Sequence, residues 1–138
     1  MLFTYWICDN REPCLRACQQ RAAPILNHAK RSDTAHGWPG IASMSSDTYA
    51  TGQALVALNA AGVAPSDPVY QRGVNYLLST QLQDGSWFQK RRALPVQPYF
   101  DNGFPHGDDQ WISLSATNWA VIALSLAAPN PATKPAGL

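Results

Sequence analysis

The chain has little charge and no long apolar segment. Charged residues make up 14% of its 138 residues, and the formal net charge is +1 at pH 7. Such a balance argues against the basic surface of a nucleic-acid-binding protein. No apolar run approaches the roughly 18 residues that a membrane-spanning helix requires. With 46% hydrophobic residues, the composition is that of a globular chain with at most one domain.

Cysteine is also scarce, and the three that occur lie at positions 8, 14 and 18. Cys14 and Cys18 are one helical turn apart, but no histidine at a ligand-like spacing accompanies them. We therefore expect free thiols in a reducing compartment, no metal site and no cofactor. Residues 1–8 are apolar without a preceding basic residue, which predicts neither a signal peptide nor a membrane span. A cytoplasmic or membrane-peripheral location is expected.

Apolar periodicity and stop signals predict an all-α chain. We expect helices over about residues 15–29, 46–60, 68–82 and 114–127. Asp67 before Pro68 is a typical pair of N-cap and first helical residue. Residues 87–111 are rich in proline and glycine and are expected to be irregular, with Lys90, Arg91 and Arg92 in a solvated loop.

Residues 72–87 form the most informative stretch. They read Arg-Gly, two residues, Tyr-Leu, three residues, Gln, three residues and Gly-x-Trp. We expect Gly85 to supply a left-handed conformation at the helix end, Gln81 to satisfy backbone groups there, and Trp87 to cover the turn. The structural skeleton consists of Arg72, Gly73, Tyr76, Gln81, Gly85 and Trp87.

The chain contains an internal repeat, because residues 50–58 align with residues 116–124. Each of these segments follows a Gly-to-Trp element, which ends at Trp38 and at Trp87. With Trp119, these tryptophans are expected to pack between repeats. The last helix is apolar on nearly every side, so we expect it to be buried. Since such repeats bury their faces only against neighbours, we expect self-association or a partner chain.

The 72–87 skeleton resembles the QW motif of terpenoid cyclases, and residues 43–124 resemble the C-terminal part of a squalene-hopene cyclase. That family also continues with Pro-Tyr-Phe and Gly-Phe-Pro, here residues 98–100 and 103–105. The resemblance implies a partial α/α toroid of helical hairpins in the terpenoid cyclase–prenyltransferase superfamily. It divides the chain into a poorly assigned helix and loop (1–42), cyclase-like repeats (43–128) and a flexible tail (129–138).

The resemblance also implies candidate isoprenoid-binding residues. Phe104, in Gly-Phe-Pro, matches an aromatic position that lines the family's cavity and stabilises cations, and Trp111 lies on the same expected apolar wall. The family's next aromatic positions fall here on Asp108, Ile112 and Ser115. These departures put carbocation chemistry in doubt.

The family's acid motif, Asp-x-Asp-Asp, is absent from the sequence. The nearest string is His-Gly-Asp-Asp at residues 106–109, interpreted as a polar loop that caps the next helix, with a metal site as the less favoured alternative. Protein prenyltransferase β subunits share the toroid, but Tyr49 replaces their zinc-ligand cysteine, so zinc is not expected. Asp47 is interpreted as a residue of the helix N-terminus.

Two functional hypotheses follow. The first is a truncated or degenerate squalene-cyclase-like repeat segment, without catalysis of its own and with a structural or weak isoprenoid-binding role. The alternative is part of a class II triterpene cyclase, an isomerase that cyclises a squalene-like polyprenoid, whose acid-bearing half lies elsewhere. The sequence identifies no catalytic residue.

Overall fold

A computed structural model of the protein describes residues 37–41, 43–93 and 98–129. They form helix α1 (Thr48–Ala60), helix α2 (Pro68–Thr80), a short 3₁₀ turn (Gly107–Asp109) and helix α3 (Gln110–Ala127). No strand occurs among these residues, which confirms the all-α fold. The expected helix over 15–29, the three cysteines and residues 130–138 lie outside the described residues.

Helices α1 and α2 both begin at an aspartate. Asp47 Oδ1 accepts a hydrogen bond of 2.8 Å from the Ala50 N–H, and Asp67 Oδ1 accepts one of 2.7 Å from the Val69 N–H. Each bond satisfies one of the N–H groups that a helix start leaves without a backbone partner. Both starts lie within two residues of the predicted ones, because N-cap signals are local in sequence.

Helix α3 begins four residues earlier than predicted, at Gln110. The 3₁₀ turn leads directly into it, so the expected loop at 106–109 is partly helical. The expected cap is wrong: neither His106 nor Asp109 makes a side-chain bond to the helix start. Asp109 Oδ1 instead accepts a hydrogen bond of 2.9 Å from the Arg91 N–H.

The core lies between the three helices. Gly52 on α1 lies so close to α3 that an added Cβ would come within 2.8 Å of the Trp119 backbone carbonyl carbon. The absence of a side chain at Gly52 permits this approach, since close-packed interiors leave no room for a Cβ there. The buried core residues include Trp38, Leu55, Leu58, Val69, Tyr70, Val74, Leu77, Trp87, Ala120 and Ala123.

Helix α3 is buried on one side only, contrary to the expectation of burial all round. Its fully buried residues are polar or small, whereas four large apolar or aromatic side chains remain exposed. Within the described residues, α1 and α2 cover a single side of α3. The exposed side chains are Trp111, Val121, Ile122 and Leu126, at 52%, 50%, 45% and 41%.

Candidate functional site

Trp87 connects the end of α2 to α3. Its side chain is 1% exposed, and the indole Nε1–H donates a hydrogen bond of 2.8 Å to the Leu77 carbonyl. The Trp87 backbone N–H donates one of 3.0 Å to Thr117 Oγ1 on α3. The indole therefore satisfies a carbonyl in the last turn of α2, the role that the sequence assigned to Gln81.

Gln81 and Gly85 close the turn that follows α2. Gln81 Nε2 donates a hydrogen bond of 3.1 Å to the Gly85 carbonyl. Gly85 has the expected left-handed conformation, with φ +82°. The conformation serves a turn rather than the helix end, because α2 already ends at Thr80 and Gln81 is extended. The Gly85 N–H donates to the Leu82 carbonyl at 3.0 Å.

Gly73 and Tyr76 hold α2 against the start of the described chain. A Cβ on Gly73 would overlap the Trp38 ring and approach Leu55 Cδ2 to 2.9 Å. The Tyr76 hydroxyl donates a hydrogen bond of 2.9 Å to the Ser46 carbonyl. Burial, and to a smaller extent a nearby carboxylate, raise the pKa of Tyr76. Arg72, the first residue of the skeleton, is half-buried on α2.

Asp47 accepts hydrogen bonds from more than its own helix. Its side chain is largely buried, and Oδ2 lies 2.8 Å from a guanidinium nitrogen of Arg92. The Gly40 N–H also donates to Oδ2, at 3.3 Å. Lys90, Arg91 and Arg92 are all exposed in a loop, as predicted, and Arg92 also attaches its segment to α1. The neighbouring Arg91 pairs with Asp108 at 3.2 Å, and both side chains are exposed.

Phe104 lies in an aromatic group with Phe88 and His106. The His106 ring is 6.1 Å from the Phe104 ring and 5.4 Å from the Phe88 ring, centroid to centroid, and meets both edge to face. Edge-to-face pairs at these distances are favourable. Among the described residues, His106 alone has a positive φ, +87°, without being glycine. Phe104 is half-buried.

Trp111 has a different ring partner. Its centroid lies 6.4 Å from that of Phe100, with the rings tilted by 34°, and its Nε1–H donates a hydrogen bond of 3.1 Å to the Phe100 carbonyl. Phe100 is 68% exposed. The two candidate binding residues, Phe104 and Trp111, are therefore placed by the same segment but stand in different ring pairs.

Gln110 connects this segment to α3, and sequence reasoning missed it. It is fully buried, its Oε1 accepts a hydrogen bond of 2.6 Å from the Asn102 N–H, and its Nε2 donates one of 2.8 Å to Tyr99 Oη. A buried amide is costly unless its polar atoms are bonded. The partners lie 8 and 11 residues away, so no local pattern indicates them.

The positions where the family would carry further aromatics have other surroundings here. Asp108 is exposed and paired with Arg91. Ile112 is half-buried, and Ser115 Oγ donates a hydrogen bond of 3.0 Å to the Trp111 carbonyl. No cluster of three or more histidine, cysteine, aspartate or glutamate side chains that could hold a metal ion occurs in the described part of the chain.

The exposed carboxylate of Asp84 accepts two hydrogen bonds from Ser86. Hydrogen bonds from the Ser86 hydroxyl, at 2.7 Å, and the Ser86 N–H, at 3.0 Å, lower the pKa of Asp84. They favour the ionised form of this carboxyl group. A carboxylic acid that protonates a substrate requires the opposite shift.

A comparison with models of known protein families finds a match. A family model described as the squalene-hopene cyclase C-terminal domain matches residues 16–136. The matched range is wider than the resemblance recognised over 43–124, and it includes part of the first 42 residues and most of the tail. No curated protein and no solved structure is significantly similar. Within the described residues, no helix is long and apolar enough to cross a membrane.

Proposed function

Because this chain belongs to the squalene-hopene cyclase family, through the C-terminal domain, we propose that it contributes a polyprenoid-binding wall and does not cyclise a polyene by itself. The proposal assigns it an apolar surface for an isoprenoid chain and a structural place among toroid repeats. Phe104 and Trp111 are the proposed binding residues.

The exposed side of α3 carries this proposal. Trp111, Val121, Ile122 and Leu126, which we call the α3 apolar face, are 41–52% exposed. Trp111 and Ile122 are eleven residues apart, close to three helical turns, so they share one side over about 16 Å. The half-buried Ser115 and the exposed Asn118 lie on the same side between them and divide the apolar area into two parts. A long hydrocarbon that contacts both parts binds through the apolar area removed from water.

The described contacts also support a repeat organisation. The Trp38 N–H donates a hydrogen bond of 2.9 Å to Thr51 Oγ1, and the Trp87 N–H donates one of 3.0 Å to Thr117 Oγ1. Thr51 and Thr117 occupy the same place in the aligned segments 50–58 and 116–124. We infer that each Gly-to-Trp element attaches to the following helix in the same way, as neighbouring units of a toroid do.

The absence of cyclisation follows from the chemistry that protonation of an alkene requires. The acid must be kept protonated by its surroundings, whereas hydrogen bonds from Ser86 lower the pKa of Asp84. An open apolar face also admits water, which quenches a carbocation. The sequence contains no Asp-x-Asp-Asp motif.

Measurements of squalene binding test the proposed surface, and measurements of squalene turnover test the proposed lack of cyclisation. Binding should shift the emission of the half-exposed Trp111 to shorter wavelength, and the purified chain should convert no squalene to a cyclic product by mass spectrometry. Trp111→Ala should abolish the shift, whereas Leu78→Ala, at a 56% exposed residue of α2, should leave squalene affinity unchanged. Equal affinity in both variants would refute the proposed surface, and cyclic product abolished in Phe104→Ala would restore catalysis.

An alternative is that the chain completes a class II triterpene cyclase whose acid-bearing half is another chain. The family membership and the uncovered α3 apolar face favour it, since a partner could cover that face and exclude water. Mixing the chain with a protein that carries the Asp-x-Asp-Asp motif should then yield cyclic triterpene that neither forms alone. Ile122→Lys should prevent this gain, whereas Leu78→Lys should not.

A further inference from the structure

Gln110 bonds two points of the segment of residues 99–104, which carries Phe100 and Phe104 and precedes α3. Tyr99 stands at the start of that segment, and its hydroxyl accepts the bond from Gln110 Nε2. Asn102 stands near its end, and its N–H donates to Gln110 Oε1. The segment is therefore held at two points by a residue that is itself fixed in the first turn of α3.

The same hydrogen bonds continue to Phe104 and Trp111. The Phe104 N–H donates a bond of 2.9 Å to Asn102 Oδ1, so the turn that Gln110 holds also fixes the Phe104 backbone. Trp111 follows Gln110 directly in α3, and its indole donates to the Phe100 carbonyl within the held segment. Both proposed binding residues are thus tied to the position of one buried amide.

We propose that Gln110 is a positioning residue, which fixes residues 99–104 against α3 and so sets how Phe100, Phe104 and Trp111 face a polyprenoid. The statement about the polyprenoid rests on the proposed function. The glutamine amide supplies both the acceptor that the Asn102 N–H needs and the donor that the Tyr99 hydroxyl accepts. Loss of either bond frees one end of the segment, and the exposed Phe100 and Trp111 rings then lose their common arrangement.

Two substitutions remove the bonds in different ways. Gln110→Met keeps the length and apolar stem but deletes both bonds, and Tyr99→Phe deletes only the acceptor at a residue that is 57% exposed, so the second variant folds even if the first does not. Ser125→Ala is the matched control, because its hydroxyl bonds the Val121 carbonyl on the same helix, outside the segment.

Hydrogen exchange of the protein without ligand measures directly whether residues 99–104 are held against α3. We expect the Asn102 N–H and the Trp111 indole N–H to exchange about tenfold faster in Gln110→Met, and the indole several-fold faster in Tyr99→Phe, because a net hydrogen bond of typical strength accounts for such factors. Ser125→Ala should leave both rates unchanged. Squalene affinity should fall about tenfold in Gln110→Met and several-fold in Tyr99→Phe.

The outcomes separate the inference from the function it rests on. If the wild type binds squalene and both segment variants bind equally well with unchanged exchange, the positioning role is refuted and the proposed function stands. If the wild type does not bind squalene, the proposed function fails, and the exchange rates alone decide: faster exchange supports the positioning of the segment, and unchanged exchange refutes it.

Discussion

Single residues in this protein connect helices through specific atoms, and Trp87 does so twice. Its ring is buried between α2 and α3, and its two N–H groups bond Leu77 and Thr117. Replacement removes a large packed side chain and leaves the Leu77 carbonyl without that donor. The contribution of Trp87 to stability therefore combines packing with the hydrogen bond from its indole.

We expect Trp87→Ala to lower the free energy of unfolding by about 3–5 kcal/mol, as for other buried tryptophans. Urea denaturation followed by circular dichroism measures the change. Trp111→Ala deletes the same side chain where it is 52% exposed, and it should cost less than about 1 kcal/mol. Equal unfolding midpoints for the wild type and Trp87→Ala would show that this tryptophan contributes nothing to stability.

At Gly73, the replacement of glycine by alanine, which usually stabilises a helix, is expected to destabilise the protein. In an exposed helix interior, alanine is about 1 kcal/mol more favourable than glycine. At Gly73 the new methyl group would overlap the Trp38 ring, so we expect Gly73→Ala to destabilise by about 1–3 kcal/mol. Denaturation of the single and double variants with Trp38→Leu measures this, because the smaller side chain should recover part of the loss.

Gly85→Ala is the matched comparison for Gly73→Ala. An added Cβ there meets no atom within 4 Å, but φ is +82°, so backbone strain of about 1–2 kcal/mol remains. Trp38→Leu should not alter that cost. If Trp38→Leu relieved both glycine substitutions equally, the contact between Trp38 and Gly73 would not explain the effect.

At the scale of secondary-structure elements, the two aspartate caps differ in what they hold. Asp67 has one bond to its own helix, from the Val69 N–H. Asp47 bonds its own helix and also Arg92 and Gly40, which belong to two other segments. The start of α1 is therefore a junction of three pieces of chain, whereas the start of α2 is a local structure.

We expect Asp67→Ala to cost about 1 kcal/mol, the usual loss of an N-cap, and Asp47→Ala to cost at least about 1 kcal/mol more because it also removes the donors' partner. Thermal or urea unfolding measures both. Arg92→Ala isolates the ion pair; since its side chain is 40% exposed, the loss should stay below about 1 kcal/mol and shrink in high salt. Equal losses of unfolding free energy in Asp47→Ala and Asp67→Ala would contradict the role of Asp47 as a junction of three segments.

At the scale of the whole molecule, the low net charge and the α3 apolar face both favour association between copies of the chain. A net charge of +1 provides little repulsion between copies. The α3 apolar face presents four large side chains to solvent, and patches of this kind drive association. Solution behaviour should therefore depend on residues of α3 rather than on the loops.

We expect the purified chain to self-associate at tens of micromolar, on the order of usual assay concentrations. Ile122→Lys should shift it towards the monomer in sedimentation velocity, because a charge on the face opposes its burial. Leu78→Lys, at an exposed residue of α2, is the control and should leave association unchanged. A monodisperse wild-type monomer, or equal effects of the two substitutions, would refute association through α3.

The sequence by itself determined the local structure. Asp47 and Asp67 indicated two helix starts, and α1 and α2 end within two residues of the predicted positions. Gly85 has the left-handed conformation that its place in residues 72–87 predicted. These features depend on side chains and backbone groups a few residues apart, so their causes can be read from a short stretch of sequence. The same stretch also supported the family, which residues 16–136 match.

Tertiary structure alone decided the contacts between distant residues and the side of α3 that is buried. Arg92 pairs with Asp47 across 45 positions, and Gln110 bonds Asn102 and Tyr99 across 8 and 11. The sequence indicated that α3 is apolar on nearly every side, but which side is buried depends on where α1 and α2 pack. A buried polar group or an exposed apolar one is defined by its partners in space, and the chain order does not encode their distance until the helices have packed.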